Sequence, residues 1–138
     1  MAESDSERMG DTIDELTGML GGGSLSLRAG ELAHQSRRCG EPVGVIVGEL
    51  DAPAAGPDGR RDALLAEVAR VLLDSLRAFD LAYRAGEERF VVLLPGADHE
   101  RAADTAERLR RAVETAQLDR DGAHVTMSFG VGASREGW

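Results

Sequence analysis

The centre of this chain is set by two apolar runs separated by a short polar turn. In LAYRAGEERFVVLLPG (81–96), the runs LAYR and RFVVLL flank AGEE, and Pro95–Gly96 closes the second run. Short runs of this kind, joined across a Gly-containing turn, predict a β-hairpin. The segment VGVIVGEL (43–50) predicts a buried strand from its β-branched content and length. The period then changes. In ALLAEVARVLLDSLRAF (63–79), Leu64, Leu65, Val68, Val71, Leu72 and Leu76 form one apolar stripe, which predicts a helix with Asp62 as its cap. Another helix is expected from about His99 to Gln117, with Ala102, Ala103, Ala106, Leu109, Ala112 and Val113 facing inward.

Weaker signals complete the order. GGGS (21–24) is a break, and a helix is expected from Leu25 to about Arg38. CGEP (39–42) reads as a turn, DAPAAGPDGRR (51–61) as a loop, and HVTMSFGVGA (124–133) as the last strand. Residues 1–12 read as a disordered leader, which leaves 13–138 as one domain. The order β-α-β-β-α-β with an extra N-terminal helix predicts an α/β (α+β) ferredoxin-like palm, a mostly antiparallel sheet with helices on one face.

Composition narrows the function classes. At 138 residues and 42% hydrophobic content the chain can bury one core. Its net charge of −9 repels nucleic acid and anionic membrane, so neither is expected as a partner, and an anionic ligand must be held by a local Arg cluster. All 16 basic residues are Arg, so no ammonium group is available as a phosphate clamp or Schiff-base nucleophile. The single cysteine, Cys39, excludes an internal disulfide and fits a cytoplasmic location; no base stands beside it in RRCGEP to make it a nucleophile. No apolar run approaches membrane-spanning length, and MAESDSERMGD is acidic rather than a signal peptide. His34, His99 and His124 lack metal-ligand spacing, Trp138 is terminal, and no nucleophile triad or Walker loop is present.

From Asp14 to about Ala133 the chain resembles the GGDEF domain of diguanylate cyclases, which condense two GTP into cyclic di-GMP. DELTGML (14–20) is similar to the family's opening D-x-L-T-G-L, and ELD (49–51) takes the place of its D-x-D. DALLAEVA (62–69), RAFD (77–80), AERLR (106–110) and VTMSFGVG (125–132) follow in the family's order, and GEERF (86–90) stands where G-G-D/E-E-F belongs. Seven short words in the right order carry the resemblance.

What the resemblance implies about chemistry is mixed. Its two metal-ligand positions hold Glu49 and Glu88, both carboxylates, so a weakened Mg²⁺ site is one expectation and a pair of solvated strand-end acids is the other. The vestigial active site further comprises Asp62, Gly86, Glu87 and Arg89. The second Gly of the motif, which admits phosphates, is Glu87; the catalytic Glu is Arg89, whose charge is wrong for holding metal or assisting deprotonation. The family's guanine-reading Asp falls on Asp62. Its F-x-x-x-N and phosphate-binding Lys have no match in APAAGPDGRR. The chain stops at SREGW, so the closing family helix, with its phosphate-contacting Lys and Arg, is expected to be missing, which leaves part of the sheet less covered. No catalytic residue is therefore expected.

A different site is spelled correctly. RAFD precedes GEERF by five residues, the spacing of the family's inhibitory site for cyclic di-GMP, and the supporting Arg falls on Arg108. Arg77 and Arg108 can present guanidinium forks to phosphates or guanine edges, and Asp80 can accept from guanine N–H groups. The plain alternative is a surface i,i+3 pair ending a helix. Three functions remain open: a catalytically silent cyclic di-GMP receptor that requires no cofactor; a nucleotide-independent dimerisation or protein-interaction module; and a weak GTP-binding residual cyclase. The first expects cyclic di-GMP as partner, with a homodimer or protein partner beside it.

The double substitution Glu87→Gly, Arg89→Glu restores the GGEEF spelling. It is expected not to restore turnover of GTP, because the altered loop after Asp51 still lacks the basic ligands for the triphosphate. Cyclic di-GMP formation by the double variant, measured by chromatography, would overturn that expectation.

Overall fold

The computed structural model describes residues 13–51, 58–120 and 123–134. The leader expected over 1–12, most of the loop after Asp51, and Trp138 lie outside them. The elements are β1 (Leu20–Gly21), α1 (Leu25–Cys39), β2 (Val43–Leu50), α2 (Asp58–Asp74), β3 (Leu81–Arg84), β4 (Arg89–Pro95), α3 (His99–Ala116), β5 (Asp119–Arg120), β6 (Ala123–His124) and β7 (Met127–Ser134). Five strands form one sheet in the order β1-β3-β4-β2-β7, antiparallel throughout except for the pairing of β1 with β3. The β-α-β-β-α-β palm expected from the sequence is present in β2, α2, β3, β4, α3 and β7.

Strand β4 explains the arrangement. Its side chains alternate, and both sets are apolar. Phe90, Val92 and Leu94 enter the main core with Ile46, Leu65, Val68, Leu72, Leu109 and Val113 from β2, α2 and α3. Val91 and Leu93 point the other way, where they meet Tyr83, Leu25, Ala29 and Leu32. Helix α1 therefore covers the second face, and the helices do not all lie on one side of the sheet as expected. A run of apolar residues with no polar alternation is what burial on both faces requires.

The helix ends differ from the expected ones in two informative places. Helix α2 begins at Asp58, immediately after Pro57, so Asp62 is its fifth residue and exposed rather than its cap. Arg60 and Arg61 carry no signal that would interrupt a helix. The same helix stops at Asp74, short of Phe79. The Ser75 carbonyl, which a longer helix would offer to the Phe79 N–H, accepts instead from Arg108 Nε and Nη2 at 3.3 and 3.0 Å. RAFD is thus released from the helix as a separate turn. Cys39 is the last residue of α1 rather than the first of a turn, and Gly40 closes that helix in the left-handed region at φ 75°.

Two short pairings were not expected. Leu20 and Gly21 run parallel to Tyr83 and Arg84, and two residues are too few to show a period. Gly22 follows them so closely that a Cβ there would lie 3.0 Å from the Arg84 carbonyl oxygen. Ala123–His124 pair with Asp119–Arg120 in a separate two-stranded sheet, so the last strand of the main sheet starts at Met127 and not at His124.

Helix α3 approaches β2 at Gly44, where a Cβ would stand 2.9 Å from Ala102 Cβ and 3.3 Å from Ala97 Cβ. Gly44→Val is expected to cost about 1–3 kcal/mol by overpacking, read as a lower urea midpoint. An unchanged midpoint would show that α3 can move away without penalty.

Candidate functional site

The two turns that carry candidate chemistry stand at opposite ends of β3. RAFD (77–80) enters the strand and GEER (86–89) leaves it. Four strand residues at about 3.3 Å each hold them roughly 13 Å apart, so they form two sites.

At the second turn, β4 is registered against β2 so that Arg89 lies opposite Glu49. Arg89 Nε donates to Glu49 Oε1 at 2.6 Å. Arg61, from the second turn of α2, reaches the same place: its Nη2 lies 2.8 Å from Glu87 Oε2 and its Nε 3.7 Å from Glu88 Oε2. Together Glu49, Leu50, Arg61, Gly86, Glu87, Glu88 and Arg89 line an open cleft of about 580 Å³. Three carboxylates thus face two guanidiniums, and the nearest cation to each acid is the protein's own. Sequence reasoning singled out Glu49, Gly86, Glu87, Glu88 and Arg89, and the structure brings them together. Asp62 is exposed on α2 and is not among the residues lining the cleft. Arg61 was missed; its only signal was its place beside Asp62.

The neighbouring acids are also engaged. Asp51 accepts from Thr126 Oγ1 at 2.5 Å and from the Ser128 hydroxyl, and these bonds, Ser128's first, hold its carboxyl below the usual range. Asp14, from DELTG, accepts from the Thr17 N–H and hydroxyl at 3.1 and 2.7 Å and faces Arg84 Nη1 at 3.4 Å. Burial pushes the Asp14 carboxyl up, but Thr17 and Arg84 together outweigh it and leave it lowered. Arg84 also donates to the Glu87 carbonyl at 3.0 Å, tying the opening loop to the turn.

A divalent ion needs several oxygen donors free to close around it. Glu49 would have to give up Arg89, and an ion beside Glu88 would sit against Arg61. Among the described residues no group of three or more His, Cys, Asp or Glu is placed to hold a metal. The donor set as folded does not fit Mg²⁺ without displacing a guanidinium.

The first turn is built differently. The Arg77 N–H donates to Asp80 Oδ2 at 2.9 Å, and the Asp80 N–H returns to the Arg77 carbonyl at 3.1 Å. The Asp80 side chain is 1% exposed, its Oδ1 has no hydrogen-bond partner, and Arg77 Nε lies 3.7 Å from Oδ2. The Arg77 side chain is half-exposed. Arg108 docks on the carbonyl of Ser75, two residues before Arg77, so the three residues singled out in the sequence lie around one turn. Arg110 and Arg111 are held elsewhere: both bind Glu107, whose carboxyl they lower to about 2.

The fold and these two turns define a palm-like α+β domain with a charged turn, GEER, in its central hairpin. The model of the family described as diguanylate cyclase, GGDEF domain, matches residues 11–137, and the chain belongs to this family. Diguanylate cyclase DosC of Escherichia coli K12 is 29% identical over 109 residues, covering 75% of this chain and 24% of DosC. The chain thus spans about a quarter of the length of such curated relatives. A sensory box/GGDEF family protein from Caulobacter crescentus is 34% identical with a TM-score of 0.73, over 87% of this chain and 81% of that one. The GGDEF domain of DgcB from Caulobacter crescentus, solved in complex with c-di-GMP, has a TM-score of 0.82 at 20% identity, over 91% of this chain and 78% of that one; this likeness concerns the fold.

Removing Arg89 leaves Glu49 without its cation. A unit charge about 4 Å away is worth roughly 1–4 kcal/mol between bulk-water and protein-surface screening, so Arg89→Ala is expected to tighten Mn²⁺ binding by about fivefold or more, measured by electron paramagnetic resonance. Unchanged affinity would show that Arg89 does not compete for that carboxylate.

Proposed function

We propose that this chain is a catalytically silent GGDEF-family domain that acts as a cyclic di-GMP receptor through Arg77, Asp80 and Arg108. The observation that carries this reading is the RAFD turn. There a buried carboxylate with an unpaired oxygen lies beside one half-exposed guanidinium, and a second guanidinium is docked two residues away. Each Arg supplies N–H groups for a phosphate or a guanine acceptor, and Asp80 supplies an acceptor for guanine N–H groups. Charge argues for a compact site: a chain of −9 does not attract a dianion broadly.

The other half of the reading is silence. The Glu49–Arg89 pair occupies the acid that a cyclase would turn toward metal, and Glu87 adds a negative charge where a triphosphate would enter. No Mg²⁺ is needed by a receptor of this kind. No helix among the described residues is long and apolar enough to cross a membrane; a cytosolic setting, where the nucleotide is made, is part of the proposal. A stacked ligand dimer bridging two copies of the chain would make the bound form a homodimer.

One observation favours the interaction-module reading. An open, largely apolar cleft of about 680 Å³ lies on the α1 side of the sheet, lined by Leu25, Val47, Val91 and Phe129 among others. A protein partner seated there would need no nucleotide.

Titration calorimetry separates the two. Losing one charge-assisted contact costs about 1.5–3 kcal/mol, tenfold or more in affinity. Arg77→Ala and Asp80→Ala are each expected to weaken cyclic di-GMP binding by that amount, while Glu88→Ala leaves it nearly unchanged. Equal losses from all three would move the ligand to the cleft, and no binding at high micromolar ligand would favour the interaction module. The chain is also expected to make no cyclic di-GMP from GTP with Mg²⁺ or Mn²⁺; product above a no-enzyme blank, abolished by Glu88→Ala, would contradict the silent reading.

A further inference from the structure

The RAFD turn contains a residue that the motif leaves open. Phe79 is 56% exposed, although the chain has only three phenylalanines and Phe90 is buried in the core. A single exposed apolar side chain needs no explanation by itself. This one stands between Arg77 and Asp80, and the Arg77 guanidinium carbon lies 4.9 Å from its ring centroid. That is cation–π distance. The reciprocal bonds between Arg77 and Asp80 hold the turn that carries the ring.

We infer that Phe79 is a base-stacking platform of the cyclic di-GMP site, with Arg77 on one face of its ring and a guanine base on the other. The inference rests on the receptor reading above and adds to it a residue that fixes the plane of the base. The chemistry is consistent at three points. An aromatic face stacks on any base, and Arg on the opposite face strengthens the attraction. Guanine carries N–H donors, the group that Asp80 Oδ1 lacks. Stacking would bring those donors to the same turn, where the buried Asp80 carboxylate must turn outward to accept from them. Phe79 thus fixes the plane of the base, and Asp80 supplies the acceptor that suits guanine.

The test uses the whole chain and cyclic di-GMP itself. Phe79→Ala and Phe79→Leu are both expected to weaken binding by about tenfold or more, whereas Phe79→Tyr and Phe79→Trp retain it within about threefold. In a Trp138→Phe background, the Phe79→Trp side chain should lose fluorescence on adding ligand as the base covers it. Thermal midpoints of all variants should stay close to that of the parent, because the ring is outside the core. Wild-type binding that Phe79→Ala leaves unchanged, or a Phe79→Trp signal blind to ligand, would overturn the stacking role and leave the receptor reading standing. Failure of the wild-type chain to bind would instead remove the receptor reading, and the stacking role with it.

Discussion

Strand β4 is apolar on both faces, and the rest of the molecule is positioned from it. Phe90, Val92 and Leu94 lock it to α2 and α3, while Val91 and Leu93 hold α1 on the opposite side. A strand gripped on both sides cannot slip by one residue without turning both sets of side chains the wrong way. That fixes its register against β2 and β3, and the register places both turns. Arg89 must lie opposite Glu49, and the hairpin turn must rise beside the end of β2.

Register then decides the electrostatics. An Arg at the first position of β4 faces a carboxylate directly across the ladder, an arrangement that stabilises a sheet by about 0.2–1 kcal/mol. Arg61 adds a second guanidinium from α2 beside Glu87 and Glu88. The acids of the cleft thereby each face a guanidinium of the chain itself, although Arg61 Nε is buried without a hydrogen-bond partner. At the other turn Asp80 is buried with one oxygen unpaired, Arg77 is half-exposed, and an aromatic ring is more than half exposed. A buried polar atom without a partner calls for a physical explanation, and at this turn an exposed guanidinium and an exposed ring stand beside it.

Much of this was legible in the sequence because it depends on periodicity. The stripes of α2 and α3, the strand 43–50 and the hairpin all emerge from apolar spacing, and the observed β2 and β4 follow it closely. The residues of both turns were also found, because motif spelling is local. What was hidden depends on contacts between distant segments. The early end of α2 is set by Arg108 taking the Ser75 carbonyl, 33 residues away in sequence. The role of Arg61 depends on a helix that starts four residues before Asp62. Helix α1 crosses to the second face because Val91 and Leu93 need cover, a demand that a continuous apolar run states only ambiguously. Strand β1 is two residues long and gives no pattern at all.

The central claim is that the ligand-reading surface of this GGDEF-family chain is the turn before β3 and not the cleft after it. Amide chemical-shift mapping on titration with cyclic di-GMP tests this most directly. The account predicts shifts concentrated at residues 75–80 and in α3 around Arg108, with Glu49 and residues 86–89 unmoved. Shifts concentrated at Glu49, Arg61 and residues 86–89 would contradict it.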